Sequence, residues 1–338
     1  MKHVEWLRRG MQAGSAFHVK KKIPWRHNTI NILALCFWWV LFFAFMALAA
    51  VLPVWAYLPI AALGFGTLMF GWAILVIHEC SHDMFIATRS PKRTRWWNNR
   101  IGRLASAFMF TAYVEHWEKG HRIHHLEPCE EADPQDRHPL TGKALYREYL
   151  KLALIPGVFI AMNPSAKYPG GLKRTLHGVA LWTPLFVYGV KFISPWIPLA
   201  FFLSFHVTMA LNLTKKAQEH GAGLAHEPDF FLRSRTYFYP LWQLFSPYCI
   251  NYHFEHHLNF KVPWYSLPAY HEALRELMPR ELQPYFFHNE FMAQLAGTKP
   301  LPPDELRHLM EPASSERSPV SPAELGSVDT SGLGRATV

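Results

Sequence analysis

One stretch of the chain sets its class: NTINILALCFWWVLFFAFMALAAVLPVWAYLPIAALGFGTLMFGWAILVI, from Asn28 to Ile77, contains no Asp, Glu, Lys or Arg. A bilayer crossing takes about 20 apolar residues, so this run is long enough for two. Within it VLPVWAYLP (Val51 to Pro59), with its prolines and aromatics, reads as the turn between them. A secretory signal peptide would be far shorter and would end in a small-residue cleavage site, and neither holds here. The bulk composition agrees. Of 338 residues 50% are apolar and 15% aromatic, and only 17% are charged, against about 25% in typical soluble chains.

A second pair of spans is expected downstream. Thr175 to Val190 and Phe192 to Thr214 are each free of Asp, Glu, Lys and Arg, with KFISPWIP (Lys191 to Pro198) at their junction. Lys191 can snorkel to the headgroups at the end of the first run. The fold expected is an all-α integral membrane protein. Four transmembrane helices in two hairpins, at about 30–52, 57–78, 174–192 and 195–214, carry a cytoplasmic helical cap that holds the metal site. The alternative is a buried hairpin of a soluble core for the second pair.

Basic residues give the orientation. Lys2, Arg8, Arg9, Lys20, Lys21, Lys22 and Arg26 precede the first span, SPKRTRWWNNRIGR (Ser90 to Arg103) follows the second, and Lys215 and Lys216 follow the fourth. The positive-inside rule then puts both termini and the large middle loop in the cytoplasm, with Trp96 and Trp97 suited to an interfacial belt. The net charge of +9 is therefore mostly a topology signal. A nucleic-acid partner is not expected, because no recognition fold presents that charge. The four cysteines, Cys36, Cys80, Cys129 and Cys249, fall in a span or on the cytoplasmic side and form no C-x-x-C pair, so reduced thiols are expected. The chain divides into a cytoplasmic segment 1–28, a membrane domain 29–310 and a Ser-, Pro- and Gly-rich tail 311–338 expected to be disordered.

Chemistry is carried by histidine, of which there are 20. HECSH (His78 to His82) ends the second span, HRIHH (His121, His124, His125) lies in the middle loop, and HFEHH (His253, His256, His257) lies beyond the fourth span. KKAQEH places His220 directly after that span. Residues at i, i+3 and i+4 share one helical face, so each box can aim its imidazoles at one point. The expected topology puts all four segments on one side of the membrane. Read alone, HECSH is H-E-x-x-H, the zinc-protease pattern. A catalytic zinc takes three protein ligands and keeps a position open. Nine histidines, His78, His82, His121, His124, His125, His220, His253, His256 and His257, suit two first-row metals instead. Glu79 then reads as a hydrogen-bond partner of the first ligand rather than a general base.

These three boxes resemble those of the membrane fatty-acid desaturase and hydroxylase superfamily. NYHFEHHLNFKVPWYSLPAYH is especially similar, including Val262-Pro263 and Ser266-Leu267-Pro268. The resemblance runs from about Asn31 to His271. It implies a non-haem di-iron pair held by the nine histidines, with His220 the ninth ligand, O2 as co-substrate and a lipid or fatty-acyl substrate in the membrane. It also implies an external electron donor. No fused cytochrome-b5 signature is present, so a separate ferredoxin, rubredoxin or cytochrome b5-like protein is expected. Some acyl-CoA members place an Asn four residues before the equivalent of His220 to hold a metal-bound water; Lys216 stands there, and that role is not assigned. His253 opens the third box where front-end members have Gln, and the three residues inside the first box resemble acyl-lipid or bacterial desaturases.

The leading expectation is a fatty-acyl desaturase of a bacterial cytoplasmic membrane, and the alternative is a lipid, alkane or carotenoid hydroxylase or ketolase of the same superfamily. An intramembrane zinc protease would need a third ligand within the spans, where there is no Asp or Glu and His206 stands alone. A metal transporter would need its ligands at mid-membrane depth. Among the other histidines, His116 reads as a surface residue or a hydrogen-bond partner of the second box, His177 and His206 as hydrogen-bonded structural groups, and His138, His226 and His271 as surface residues.

Overall fold

The computed structural model describes residues 4–20, 22–135, 140–240 and 242–311; the expected tail from 312 onward and His138 lie outside the described residues. The molecule is mostly helical. An amphipathic helix α1 (Glu5–Gly14) precedes α2 (Pro24–Ala47), which Pro24 opens at a position where no intrahelical N–H is needed. The turn after α2 is shorter than expected. Helix α3 (Val54–Trp72) starts directly after Pro53 and contains Pro59, so only the first part of the Val51–Pro59 stretch is a turn.

Helix α3 does not stop at Trp72. It widens into a π-helical segment of six residues, Ala73–His78, and closes in a last turn α4 (Glu79–Ser81). There follow α5 (Pro91–Phe108), a second π-helical segment Tyr113–Gly120 running into α6 (His121–Leu126), then α7 (Gly142–Leu154) and α8 (Val158–Met162). The second hairpin is α9 (Gly171–Phe192) and α10 (Ile197–His220). The C-terminal part contains α11 (Trp242–Phe245), α12 (His253–Leu258), α13 (Leu267–Leu277), α14 (Gln283–Phe286) and α15 (Phe291–Ala296), with a short parallel pair of β1 (Thr236–Tyr237) and β2 (Phe287–His288).

Among the described residues three helical runs are long and apolar enough to cross a membrane: Pro24–Ala50, Val54–Ser81 and Ile197–His220, with hydropathies of 2.5, 2.2 and 1.5. Leu33, Phe37 and Val40 form an outward stripe on α2 and are 63%, 61% and 64% exposed, which in water would be a costly apolar surface and in lipid is not. Helix α9 also exposes Leu172, Leu176, Val179 and Val187. Lys173, Arg174 and Lys191 keep it outside that set of three.

An aromatic core of Trp38, Phe42, Phe65, Trp72, Trp182 and Phe201 ties the two hairpins together. Between α3 and α10 the approach is closest at Gly66, where an added Cβ would lie 2.6 Å from Val207 Cβ, and Thr208 Oγ1 donates to Gly66 O at 3.1 Å. Both helices end in histidine, His78 just before α4 and His220 at the end of α10, so their packing brings the two boxes to one end of the bundle. A second core of Leu7, Phe254, Leu258, Leu274 and Phe286 fixes α12 beneath α1 and α13, with Tyr270 OH donating to Gly10 O at 2.9 Å.

Candidate metal centre

Each histidine box is aimed by its local backbone. The π-helical segments Ala73–His78 and Tyr113–Gly120 lead straight into the first and second boxes. Each widened turn takes up an extra residue and so rotates the next turn relative to a regular helix, a device common at functional sites. The second and third boxes lie on α6 and α12, six residues each, and their i, i+3, i+4 spacing turns three imidazoles inward.

The structure brings all nine sequence-predicted histidines together in two adjoining groups. His78, His82, His121, His125 and His256 form one; His124, His220, His253 and His257 form the other. Within each group the candidate ligand atoms lie within 4.8 Å of one another. Nε2 of His78 is 3.0 Å from that of His256, His121 is 3.0 Å from His82 and 3.1 Å from His125, and His253 is 2.9 Å from His220. Two nitrogens bound to one ion at about 2.1 Å and at right angles would be ~3.0 Å apart.

The outer nitrogens fix which ring nitrogens face inward. His124 Nδ1 meets Asp133 Oδ2 at 2.8 Å, His121 Nδ1 meets Gln135 Oε1 at 2.7 Å, and His220 Nδ1 meets the Arg233 carbonyl at 2.8 Å. A carbonyl or carboxylate only accepts, so each Nδ1 carries a proton, and in the neutral ring the Nε2 then presents a lone pair. On His257 it is Nε2 that is buried with no hydrogen-bond partner. Burial, and then repulsion between neighbouring rings, pushes His125, His256 and His257 well below the ordinary 6.5; burial and then the Lys215 cation do the same for His253. Neutral, convergent imidazoles are the donor set a metal requires. The site fits a metal pair.

Around the histidines lie buried acids, of which the sequence pattern singled out only Glu79. Asp133 is 1% exposed and also accepts from the backbone N–H groups of Cys129 at 3.0 Å and Gln135 at 2.8 Å. Burial alone would raise its carboxyl; the His124 bond and these two N–H groups outweigh that and hold it well below the usual carboxylate range. Glu219 Oε1 lies 3.3 Å from His253 Nδ1 while its other oxygen takes Lys215 Nζ at 2.5 Å. Glu79 Oε1 sits 3.5 Å from His78 Nδ1, beside the ring but without the hydrogen bond expected from the sequence. Glu255, between the ligands of the third box, points the other way to His271 Nδ1 at 2.5 Å and to the Thr236 hydroxyl.

That contact corrects one expectation. His271 is not a surface residue but is 3% exposed, because the carboxylate of Glu255 needs a buried partner. His226 is exposed and so is His177, whose expected structural bond is not among the hydrogen bonds described. His206 is structural: Nδ1 bonds the Leu152 carbonyl at 2.7 Å and Nε2 takes the Gly157 N–H at 3.0 Å. His116 is buried, and its carbonyl accepts Gln135 Nε2 at 3.1 Å, one step behind His121. Lys216 Nζ donates to the Gln135 carbonyl, tying α10 to the same loop.

A cavity of about 130 Å³ opens against both groups, touching His78, His121 and His124. One face of α10 lines it from Phe205, Thr208 and Met209 through Asn212 to Lys215 and Lys216, and Phe70, Ala73, Ile74, Met109 and Phe159 complete its apolar wall. The model of the fatty acid desaturase family matches residues 53–289, which includes every one of the nine histidines. The chain belongs to the fatty acid desaturase family. It is therefore an oxidoreductase, and the matched stretch takes in α3, the second hairpin and all three boxes. An sn-1 oleoyl-lipid 12-desaturase of Synechocystis sp. is 26% identical over 277 residues, covering 72% of this chain and 75% of its own length. An sn-1 acyl-lipid omega-3 desaturase (ferredoxin) of Nostoc sp. is 30% identical over 96 residues, 28% of this chain and 24% of its own. Desaturase membership, three apolar helices and buried histidine groups together describe a membrane lipid desaturase with a candidate metal site.

Proposed function

We propose that this desaturase inserts a double bond into the fatty-acyl chain of a membrane lipid, using two irons, one in each histidine group, with O2 as co-substrate. The observation that carries the reading is the apolar cavity laid against both groups at once. When bound, the iron pair would supply an O2-derived oxidant able to take hydrogen atoms from unactivated methylenes, chemistry that no side chain offers. Overall, –CH2–CH2– + O2 + 2 electrons + 2 protons gives –CH=CH– + 2 H2O.

The chain's own residues do the rest. Phe70, Ile74, Met109, Phe205 and Met209 hold an apolar chain and exclude water beside the histidines. Asp133, Gln135 and the Arg233 carbonyl fix the tautomer and orientation of His124, His121 and His220. We further propose α9 as a fourth span, a desaturase domain running over 29–310, and both termini and the metal end on the cytoplasmic face of a bacterial membrane. The basic residues that flank the apolar runs support that orientation. Electrons come from a separate carrier, a ferredoxin, rubredoxin or cytochrome b5-like protein; the name of the Nostoc relative specifies ferredoxin.

Lipid mass spectrometry on cells expressing the chain beside a His256→Ala variant tests this. A lipid lacking two hydrogens, present with the parent chain and absent with the variant, is the expected result. A lipid gaining one oxygen would move the assignment to a hydroxylase, and a purified protein holding one zinc and no iron would overturn the reading.

A further inference from the structure

Eight of the nine inward histidines are buried, and His82 is only half-buried. Phe260 stacks on it, with centroids 5.1 Å apart and planes at 23°, and covers His125 at 5.4 Å. Phe260 is itself 36% exposed. A part-exposed aromatic ring is therefore in contact with two members of the five-histidine group, and neither Phe260 nor His82 lines the cavity.

Charges of both signs lie near this ring, and α5 alongside carries cations only. Lys261 follows it and is exposed, and Arg95, 71% exposed, holds Asp83 at 3.5 Å next to His82. Arg95 and Lys261 both act electrostatically on Asp83, as does the acid Glu118. Helix α5 adds Lys92, Arg93, Arg100 and Arg103 and has no acid. Lys92, Arg95, Asn99 and Arg103 follow i, i+3, i+7 and i+11 and form one edge of α5, and Asn99 Nδ2 donates to Glu118 at 3.3 Å. Trp97 and Leu104, 46% and 55% exposed, lie on a different edge, so the cationic edge and the apolar edge of α5 face different surroundings.

We propose that Phe260 is the electron-entry port of the metal centre, and that the cations Arg95 and Lys261 beside it, continued along one edge of α5 by Lys92 and Arg103, dock a small acidic one-electron carrier protein. The proposal rests on the desaturase reading, because that reaction draws two electrons from outside for each double bond. Each encounter passes one electron: the carrier goes from its reduced to its oxidised form, the metal centre is reduced by one equivalent, and no bond forms or breaks. Opposite charge steers such short-lived encounters and sets their rate more than their final affinity. The Phe260 ring brings the carrier's redox group to van der Waals distance of a ligand, and electron transfer slows steeply with distance.

The test is anaerobic stopped-flow mixing of iron-loaded full-length protein with reduced plant-type [2Fe–2S] ferredoxin, a strongly acidic probe, over a salt series. The Arg95→Glu, Lys261→Glu double variant is expected to take up electrons about tenfold or more slowly at low salt. Its rate converges with the parent's at high salt, where exposed charges are screened. Phe260→Leu, with iron content measured in the same sample, lowers the rate at saturating ferredoxin and keeps the salt dependence. Dithionite, which needs no docking, reduces the double variant and the parent alike. Ferredoxin rates equal to the parent's in the double variant overturn the proposal. If that variant instead loses phosphatidylglycerol binding at unchanged electron uptake, these cations serve the lipid surface and the proposal likewise falls. Electron uptake needs neither lipid nor O2. Normal uptake without a lipid product would therefore refute the desaturase reading and leave the port in place.

Discussion

Replacing Asp133 by Asn separates the role of the buried acids from that of the ligands. The carboxylate accepts three hydrogen bonds, from His124 Nδ1 and from the N–H groups of Cys129 and Gln135, at 2.8, 3.0 and 2.8 Å. Asn is nearly the same size but turns one acceptor into a donor, so at least one of those three donors faces another donor. A buried unpaired group costs about 1–3 kcal/mol. If His124 loses its partner, its ring can rotate or change tautomer and withdraw the Nε2 lone pair. Loss of such an outer partner typically lowers metal affinity about 10- to 100-fold, or ~1.4–2.7 kcal/mol. His124 belongs to the four-histidine group, so the loss falls on that group. Iron would be titrated against a competing chelator and counted per chain. The expected outcome is two irons in the parent and a second equivalent held at least tenfold more weakly in Asp133→Asn, with the first unchanged. Equal affinity for both equivalents in the variant would refute the reasoning, as would the loss of both together.

Two more outcomes are expected from other parts of the structure. Burial, and then the Arg235 and Lys299 cations, push His288 down to about 3. An unfolded imidazole takes up its proton near 6.5, so stability falls as pH drops from there toward 3, and the group contributes nothing above that window; at pH 5 the loss is about 2 kcal/mol. His288→Gln should lose less thermal stability between pH 7 and pH 5 than the parent in detergent, by a few degrees, and equal losses would remove His288 as a cause. Gly66→Ala puts a methyl 2.6 Å from Val207 Cβ and 2.9 Å from the Ser204 carbonyl, so α3 and α10 must part at a cost of about 1–3 kcal/mol. Because those two helices carry His78 and His220, the thermal midpoint and the iron content should fall together, whereas a stable variant with full iron would show that the close approach is not needed.

The membrane class and the nine inward histidines were legible in the sequence because both are written locally. An uncharged run as long as Asn28–Ile77 has few uses outside a bilayer, and the spacings within HECSH, HRIHH and HFEHH turn imidazoles to one side of whatever helix carries them. The expected span at 174–192 is less sharply written, since Lys173, Arg174 and Lys191 dilute α9, which is not among the three runs long and apolar enough to cross a membrane. What the tertiary structure decided lies between segments far apart in the chain. It divides nine similar rings into five and four, and it places Asp133 behind His124 and Glu219 behind His253. It also buries His271 against Glu255, which spacing alone made a surface residue. The π-helical turns that aim the first two boxes have no local signature either. A side chain's periodicity is fixed by its own helix, but its partner is fixed by which other helix packs there, and that is settled only when α3, α6, α10 and α12 close on one another.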